Sequence, residues 1–90
     1  PIVFSLNNVY PNPFNPITTI EFSVPDNNNE KVRLRAFDIA GRMVRDLTNK
    51  TYNSGVYRIE WDASSISSGI YFLEFRVGSY REIRKLSLLK

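Results

Sequence analysis

Cysteine and histidine are both absent from this sequence. Their absence rules out thiolate and imidazole metal ligands, a cysteine nucleophile and a Ser-His-Asp triad, which closes the usual routes to hydrolytic or redox catalysis. It also rules out disulfide bonds, so packing alone must hold the fold together. We therefore expect a protein that is not an enzyme, with no catalytic residues, no metal site and no cofactor.

Long apolar runs are missing too. No stretch approaches the roughly 18 to 20 apolar residues that a membrane-spanning helix needs, and the chain begins at Pro1 without a signal-peptide pattern. The 90 residues are 42% hydrophobic and 13% aromatic, which is enough for one core and leaves no room for a second. We expect a single domain over residues 1–90, a module of a longer chain whose other parts lie upstream.

Apolar and polar residues alternate along most of the chain, which is the period of a strand that buries one face. The segments with this pattern are 17–24, 31–37, 42–48, 55–61, 69–77 and 81–90. The side chains expected to point inward are Ile20, Phe22, Val24, Val32, Leu34, Ala36, Tyr57, Ile59, Trp61, Tyr71, Leu73, Phe75 and Val77. A polar turn at residues 26–30 is predicted to join the first two segments as a hairpin.

Turn-forming residues separate these segments. Asp38 can accept backbone N–H bonds and Gly41 can take the left-handed conformation, so a turn is predicted at residues 38–41. Gly78 and Ser79 are predicted to form the last tight turn.

In the last segment, Ile83 is out of phase with Leu86 and Leu88. This predicts a bulge or a kink between them.

An N-terminal segment and about six further strands, at close spacing, predict an all-β chain. The first choice of fold is an immunoglobulin-like or fibronectin-like antiparallel β-sandwich of about seven strands, with Trp61 as the large core anchor. A small open barrel is the alternative.

The stretch YPNPFNP, residues 10–16, contains three closely spaced prolines. Proline cannot donate to a strand ladder, so this segment cannot be a central strand. We expect it to lie along a sheet edge and protect it from aggregation, with Tyr10 and Phe14 packing down as plugs. The alternative is a proline-rich ligand for an aromatic groove.

Four strings stand in order along the chain: VYPNPFNPITTIEFSVP at 9–25, VRLRAFDIAGRMVRDL at 32–47, GVYRIEWDASSISSGIYFLEF at 55–75 and KLSLLK at 85–90. Together they resemble the C-terminal sorting domain of proteins exported by the type IX secretion system. The resemblance implies a seven-stranded sandwich at the end of a larger secreted protein, which outer-membrane machinery reads and often cleaves. The PNPFNP stretch and the FDIAGR turn also resemble those of immunoglobulin-like domains of flagellar hook-capping proteins and of C-terminal cell-attachment modules.

The resemblance carries over to individual positions. The motif residues are Pro11, Asn12, Pro13, Asp38, Gly41, Arg42, Gly55, Trp61, Asp62, Gly69, Tyr71, Lys85 and Lys90. Turn, core and capping roles explain the glycines, the aromatic residues and the aspartates. Lys85 and Lys90 need another role: with Leu86 and Leu88 they form a basic last strand, whose exposed edge a partner could read by strand addition and charge pairing.

The resemblance also implies partners and a location. It implies outer-membrane secretion and surface-attachment machinery as partners, and a secreted or cell-surface protein exported through the periplasm. Twelve Lys and Arg stand against nine Asp and Glu, interleaved along the strands without the basic groove and aromatic platforms of a nucleic-acid site. We expect a monomer, no nucleic-acid partner, and attraction by charge to anionic lipopolysaccharide.

Two other functions stay open at this point, a carbohydrate-binding module and an inert structural spacer of an extracellular enzyme. Sugar stacking would use Phe72, which points outward, with Tyr52 and Tyr80 near turns. The oxygen-rich residues 26–30 could hold Ca²⁺ but lack the ordered ligand spacing of a dedicated loop. No pocket-forming motif supports a glycosidase pair among the carboxylates Glu21, Glu60, Glu74 and Glu82.

Overall fold

The computed structural model describes residues 3–26 and 29–90. Its strands are β1 (Ser5–Tyr10), β2 (Ile17–Val24), β3 (Lys31–Asp38), β4 (Met43–Thr51), β5 (Gly55–Asp62), β6 (Gly69–Val77) and β7 (Tyr80–Leu88). This described part of the chain has no helix, and so none that could cross a membrane. The prediction of an all-β chain with about seven strands is confirmed.

The strands form two antiparallel sheets that pack on each other as a sandwich. One sheet has the order β1-β2-β5 and the other the order β4-β3-β6-β7. In constant-type immunoglobulin domains the fourth strand joins the sheet of the first, second and fifth strands, whereas here it pairs with β3. The predicted immunoglobulin-like sandwich is confirmed, and the alternative of an open barrel is wrong.

Period-two alternation decides which side chains enter the core between the sheets. The inward side chains predicted for β2, β3 and β6 are all buried: Ile20, Phe22, Val24, Val32, Leu34, Ala36, Tyr71, Leu73, Phe75 and Val77. On β5, Trp61 is buried, while Tyr57 and Ile59 are partly buried against the same cluster. Among the described residues, every buried side-chain nitrogen or oxygen has a hydrogen-bond partner, so the core carries no desolvation penalty from unpaired polar groups.

Trp61 and Tyr71 connect the sheets at one end of the core. Their rings lie edge to face with centroids 6.2 Å apart, a favoured geometry for aromatic pairs. The Tyr71 hydroxyl donates a hydrogen bond to the carbonyl oxygen of Ser67 at 2.6 Å. A tyrosine near the start of the sixth strand that bonds back to upstream backbone is the tyrosine corner of immunoglobulin-like sandwiches. The core roles predicted for Trp61 and Tyr71 are confirmed.

The turn predicted between β3 and β4 is formed by the residues expected. Asp38 Oδ1 accepts N–H bonds from Ala40 and Arg42, both at 2.9 Å, and Gly41 has a φ of +83°, where a side chain would be strained. The Arg42 guanidinium also donates to Asp38 Oδ2 at 3.0 Å. These bonds hold the pKa of Asp38 below its ordinary value, and the bond from the backbone N–H of Arg42 has the largest effect.

The hairpin predicted between the first two segments is wrong. β2 lies between β1 and β5 in one sheet, whereas β3 belongs to the other sheet, so the connection crosses between the layers. Alternation shows which face a strand buries, but it does not show which strand lies beside it. Asn27 and Asn28 of this connection lie outside the described residues, and so does the Ca²⁺ hypothesis that depends on them.

The bulge predicted in the last segment is also wrong. β7 pairs with β6 from Tyr80 to Leu88 without a register shift, after the predicted tight turn at 78–79. Ile83 is out of phase because it points to the outer face, where it is 47% exposed, while Leu86 and Leu88 point into the core. Register shifts occur instead in β1 and twice in β4.

The central position of β6 gives a test of the core. Leu73 is fully buried, so Leu73→Ala should lower the free energy of unfolding by about 2–5 kcal/mol. Ile70→Ala, on the same strand but 37% exposed, should cost under about 1 kcal/mol. Urea unfolding followed by the fluorescence of the single tryptophan measures both, and equal losses would contradict this placement of the core.

Candidate recognition site on the last strand

Three of the four predicted recognition residues lie at the end of β7, an edge strand of the four-stranded sheet, and Lys90 follows two residues after it. Leu86 and Leu88 are completely buried and belong to the core. Lys85 and Lys90 are exposed. The structure therefore separates the set: the two leucines hold the strand in place, and only the two lysines present their side chains to solvent.

Residues 11–16, here called the proline clamp, cover the free edge of this strand. Asn12 makes two hydrogen bonds to it: Asn12 Nδ2 donates to the carbonyl oxygen of Lys85 at 3.1 Å, and the N–H of Ser87 donates to Asn12 Oδ1 at 3.0 Å. The amide side chain thus replaces the donor and the acceptor of a neighbouring strand. Sequence reasoning named Asn12 only as a residue of the family motif.

Phe14 continues the cover one step further along. Its N–H donates to the carbonyl oxygen of Ser87 and its own carbonyl oxygen accepts from the N–H of Leu89, both at 2.9 Å. The bridge with Leu88 is parallel. The Phe14 side chain is 2% exposed and its ring lies 5.4 Å from that of Trp61. The prediction that this segment lines a sheet edge with Phe14 as a plug is confirmed, and the expected free edge of the last strand is occupied.

Tyr10 does not share this role, and its prediction as a second plug is wrong, since it is 45% exposed at the end of β1. The clamp is instead attached by its backbone carbonyls. Thr18 Oγ1 donates to the carbonyl oxygen of Pro11 at 2.8 Å, and the N–H of Ala63 donates to that of Pro16 at 2.9 Å. The peptide bonds before all three prolines of the clamp are cis.

The first half of β7 is covered by β1. Leu6 donates its N–H to Glu82 Oε1 at 3.1 Å, and its carbonyl oxygen accepts from the Arg84 guanidinium at 2.9 Å. Arg84 and Glu82 also form an ion pair at 3.1 Å. Partial burial by itself raises the pKa of Glu82, but the bonds from Tyr80, Leu6 and Arg84 outweigh it and lower the pKa. These bonds satisfy the backbone of Leu6 through side chains of β7, and the backbone edge of the last segment is covered by the clamp from Lys85 to Leu89.

Beyond β7 the chain is held by the loop between β5 and β6. The N–H of Lys90 donates to Ser68 Oγ at 3.0 Å, and Lys90 Nζ donates to the carbonyl oxygen of Ser64 at 2.7 Å. Asp62 caps the same loop by accepting from the hydroxyl and the N–H of Ser64, bonds that lower the pKa of Asp62. The capping role predicted for Asp62 is confirmed, and it organises the loop that holds Lys90.

Glu74 was named above only among the carboxylates, and sequence reasoning missed its environment. It lies on the outer face of β6 with only 5% exposure, between Arg35 of β3 and Arg81 of β7, and it forms an ion pair with each. Burial alone raises the pKa of Glu74, but the hydrogen bonds from Arg81 and Arg35 outweigh it and lower the pKa. Only the register of three strands reveals this arrangement.

The aromatic residues suggested for sugar stacking do not form one surface. Tyr52 packs on Phe22 of the core and Tyr80 packs on Phe75, whereas Phe72 lies on the opposite, outer face of its sheet. The carboxylates form no acid pair either, since Glu21 is paired with Arg58 at 3.0 Å and Glu74 with two arginines. Within residues 3–26 and 29–90, no three cation-ligating side chains come together.

Comparison with known families agrees with this geometry, an immunoglobulin-like sandwich whose last strand is held by an upstream proline motif. The family model of the secretion system C-terminal sorting domain matches residues 8–88. The chain belongs to this family, the C-terminal sorting domains of type IX secretion. Membership implies a secreted or cell-surface protein that interacts with secretion machinery. No curated protein matches the chain.

The clamp gives the first test at this site. Asn12→Ala removes both side-chain bonds to β7 and should lower the free energy of unfolding by about 1 kcal/mol, because Asn12 is exposed and water replaces part of the loss. Amide hydrogen exchange at Ser87 should accelerate about tenfold. Asn15→Ala, at an exposed position of the same clamp, is the control. Unchanged exchange at Ser87 would show that Asn12 does not hold the strand.

Glu74 gives a test by pH. A carboxylate with a lowered folded pKa stabilises the fold above its ordinary value of 4.5, and that stabilisation is lost as pH falls through the folded pKa. Glu74→Gln should therefore cost about 1–2 kcal/mol at pH 7, discounted for the exposure of its partners, and progressively less below about pH 4. Chemical unfolding across this range, with Glu60→Gln as control, measures the difference; a pH-independent loss contradicts the assignment.

Proposed function

We propose that this domain directs the export of a larger secreted bacterial protein across the outer membrane, and the attachment of that protein to the cell surface. Residues 1–90 act as one non-catalytic, monomeric sorting unit. The route runs through the periplasm, and the partners are the outer-membrane secretion and attachment machinery, with anionic lipopolysaccharide attracted by charge. Nucleic acid has no part in this function.

The observation that carries the proposal is the coincidence of the family match with the clamp. The match covers residues 8–88, and its two ends are the segments that bond to each other, through Asn12 and Phe14 on one side and residues 85–89 on the other. A sorting signal that a partner recognises in its folded form needs its last strand in one defined position. The clamp provides that position without a disulfide or a metal.

The surface available for recognition consists of the side chains that this arrangement leaves exposed. Leu86 and Leu88 contribute by anchoring β7 in the core, and they place Lys85 on the outer face of the sheet. Lys90 follows β7 and contacts the loop after β5, where its ammonium group donates a hydrogen bond to the carbonyl oxygen of Ser64. Two cationic groups at defined positions can be recognised by acidic groups of a partner, which gives specificity more than raw affinity.

Export of a reporter tests the proposal. Residues 1–90 are fused behind a periplasmic reporter protein in a host with a type IX apparatus, and surface and medium are assayed for the reporter. The intact domain should export it. Lys85→Ala combined with Lys90→Ala should lower export by at least about tenfold, which corresponds to about 1.4 kcal/mol of lost recognition.

The matched control changes the two other lysines, Lys31→Ala and Lys50→Ala, and should leave export unchanged. A further variant that lacks residues 86–90 should be retained in the periplasm, since it loses both the core anchors and Lys90. Retention of the reporter with the intact domain would refute the sorting function. If the variant with both Lys85 and Lys90 replaced is still exported, the recognition role of the two lysines is refuted, while the sorting function of the domain is not.

A further inference from the structure

The outer face of the four-stranded sheet carries a row of like charges. Arg33 of β3 lies directly opposite Arg76 of β6, and Arg76 lies directly opposite Arg81 of β7. We call these three residues the arginine row. Alternation along each strand places all three on the outer face, away from the core. Like charges directly opposite one another on a sheet destabilise it, so the row has a cost that the fold itself does not require.

The charge of this row is mostly uncompensated. Arg81 is paired with Glu74, which also binds Arg35 and is the one acidic residue on the outer positions of these three fully described strands. Arg33 and Arg76 form no ion pair within the described part of the chain. They line a polar groove of about 430 Å³ together with Lys31, the backbone at Gly78, the carboxylate of Glu30 and Asn29. Guanidinium groups in such a row suit phosphate groups, which they bind with two parallel hydrogen bonds.

The other end of the same face is apolar. The next row of side chains, Arg35, Glu74 and Ile83, is followed by Phe37 opposite Phe72. A second shallow groove of about 300 Å³ is lined there by four large apolar side chains, Phe37, Ile39, Phe72 and Ile83, together with Gly41, Arg81 and the ion-paired carboxylates of Asp38 and Glu74. Ile39 is 77% exposed and Ile83 47%. One face therefore combines exposed large apolar side chains with unpaired arginines, about 13 Å apart along the strands.

We propose that this face docks on an anionic membrane surface, with the arginine row on the phosphate headgroups and the apolar residues at the boundary between headgroups and hydrocarbon. This rests on the proposed function, since it supposes a cell-surface location and names the face that meets anionic lipopolysaccharide. Charge complementarity selects an anionic partner, and the apolar end selects one that has a hydrocarbon boundary as well as phosphate. Lys85, directly opposite Phe72, adds a cation at the rim of the apolar end, from which it reaches headgroups.

Vesicle binding tests this without any secretion apparatus, so it fails or succeeds independently of the export assay. The intact domain is sedimented with phosphatidylcholine vesicles that contain lipid A, and with phosphatidylcholine vesicles alone. We expect retention only on the lipid A vesicles, weakening as salt rises. Arg33→Gln combined with Arg76→Gln should weaken binding roughly tenfold to thirtyfold, and Ile39→Ser combined with Ile83→Ser should weaken it at high salt.

The control variant removes two positive charges elsewhere, Arg45→Gln with Arg58→Gln, of which Arg58 lies on the outer face of the other sheet. It should bind like the intact domain, and urea unfolding confirms that each variant is folded. Equal losses of vesicle binding in the two arginine variants would show that binding depends on net charge alone, and would overturn the site. Binding of soluble inositol hexakisphosphate without retention on vesicles would overturn docking to a membrane, as would equal retention on phosphatidylcholine alone.

Discussion

The contact on which the rest of this structure depends is the seat of Phe14 between the two sheets. Its backbone bonds to Ser87 and Leu89 of the last segment, and its ring packs on Trp61 of the opposite sheet. One residue thus closes a sheet edge and fills the core at the same place. The chain has no disulfide, so non-covalent bonds tie its early segments to the last strand. The clamp is one of these ties, with Asn12 and Lys85 73 residues apart in sequence, and the bonds of Leu6 to Glu82 and Arg84 are the other.

Closure of the edge has a physical consequence for recognition. A strand with unpaired N–H and C=O groups invites pairing with another chain, and a sorting domain waits in the periplasm among many other proteins under the proposed route. The clamp covers the second half of the β7 edge, and in the first half the side chains of Glu82 and Arg84 bond to the backbone of Leu6 in β1. On the far side of the same sheet, β4 carries two register shifts, which also interrupt a flat pairing edge. At the clamped end of β7, a partner of the folded domain therefore meets side chains.

The parts of the fold that the sequence predicts are those that depend on local periodicity and local turn chemistry. The inward residues of β3 and β6 follow from alternation, and the Asp38 turn follows from an acceptor placed before a glycine. The errors share one cause, which is that strand neighbours are decided across the chain. The false hairpin between β2 and β3, and the false bulge at Ile83, both arise from assigning partners and faces without knowing the register.

The candidate site shows the same division. Phe14 was identifiable because an aromatic residue flanked by prolines cannot sit in a central strand and needs an edge. Glu74 was not identifiable, because its meaning depends on Arg35 and Arg81, which are 39 and 7 residues away along the chain. Lys85 and Lys90 were named through the family motif, and the exposure that separates them from Leu86 and Leu88 becomes visible only when the inner and outer positions of β7 are known.

The two outer faces of the sandwich differ for reasons that the core cannot explain. On the three-stranded sheet, Glu21 and Arg58 face each other across β2 and β5 and compensate one another. On the four-stranded sheet, Arg33 and Arg76 face each other in the same way, with the same sign. Both arrangements are equally compatible with the buried positions of these strands, since alternation leaves outer positions free. Like charges directly opposite one another weaken a sheet, and it is this arrangement on which the proposed docking of the four-stranded sheet depends.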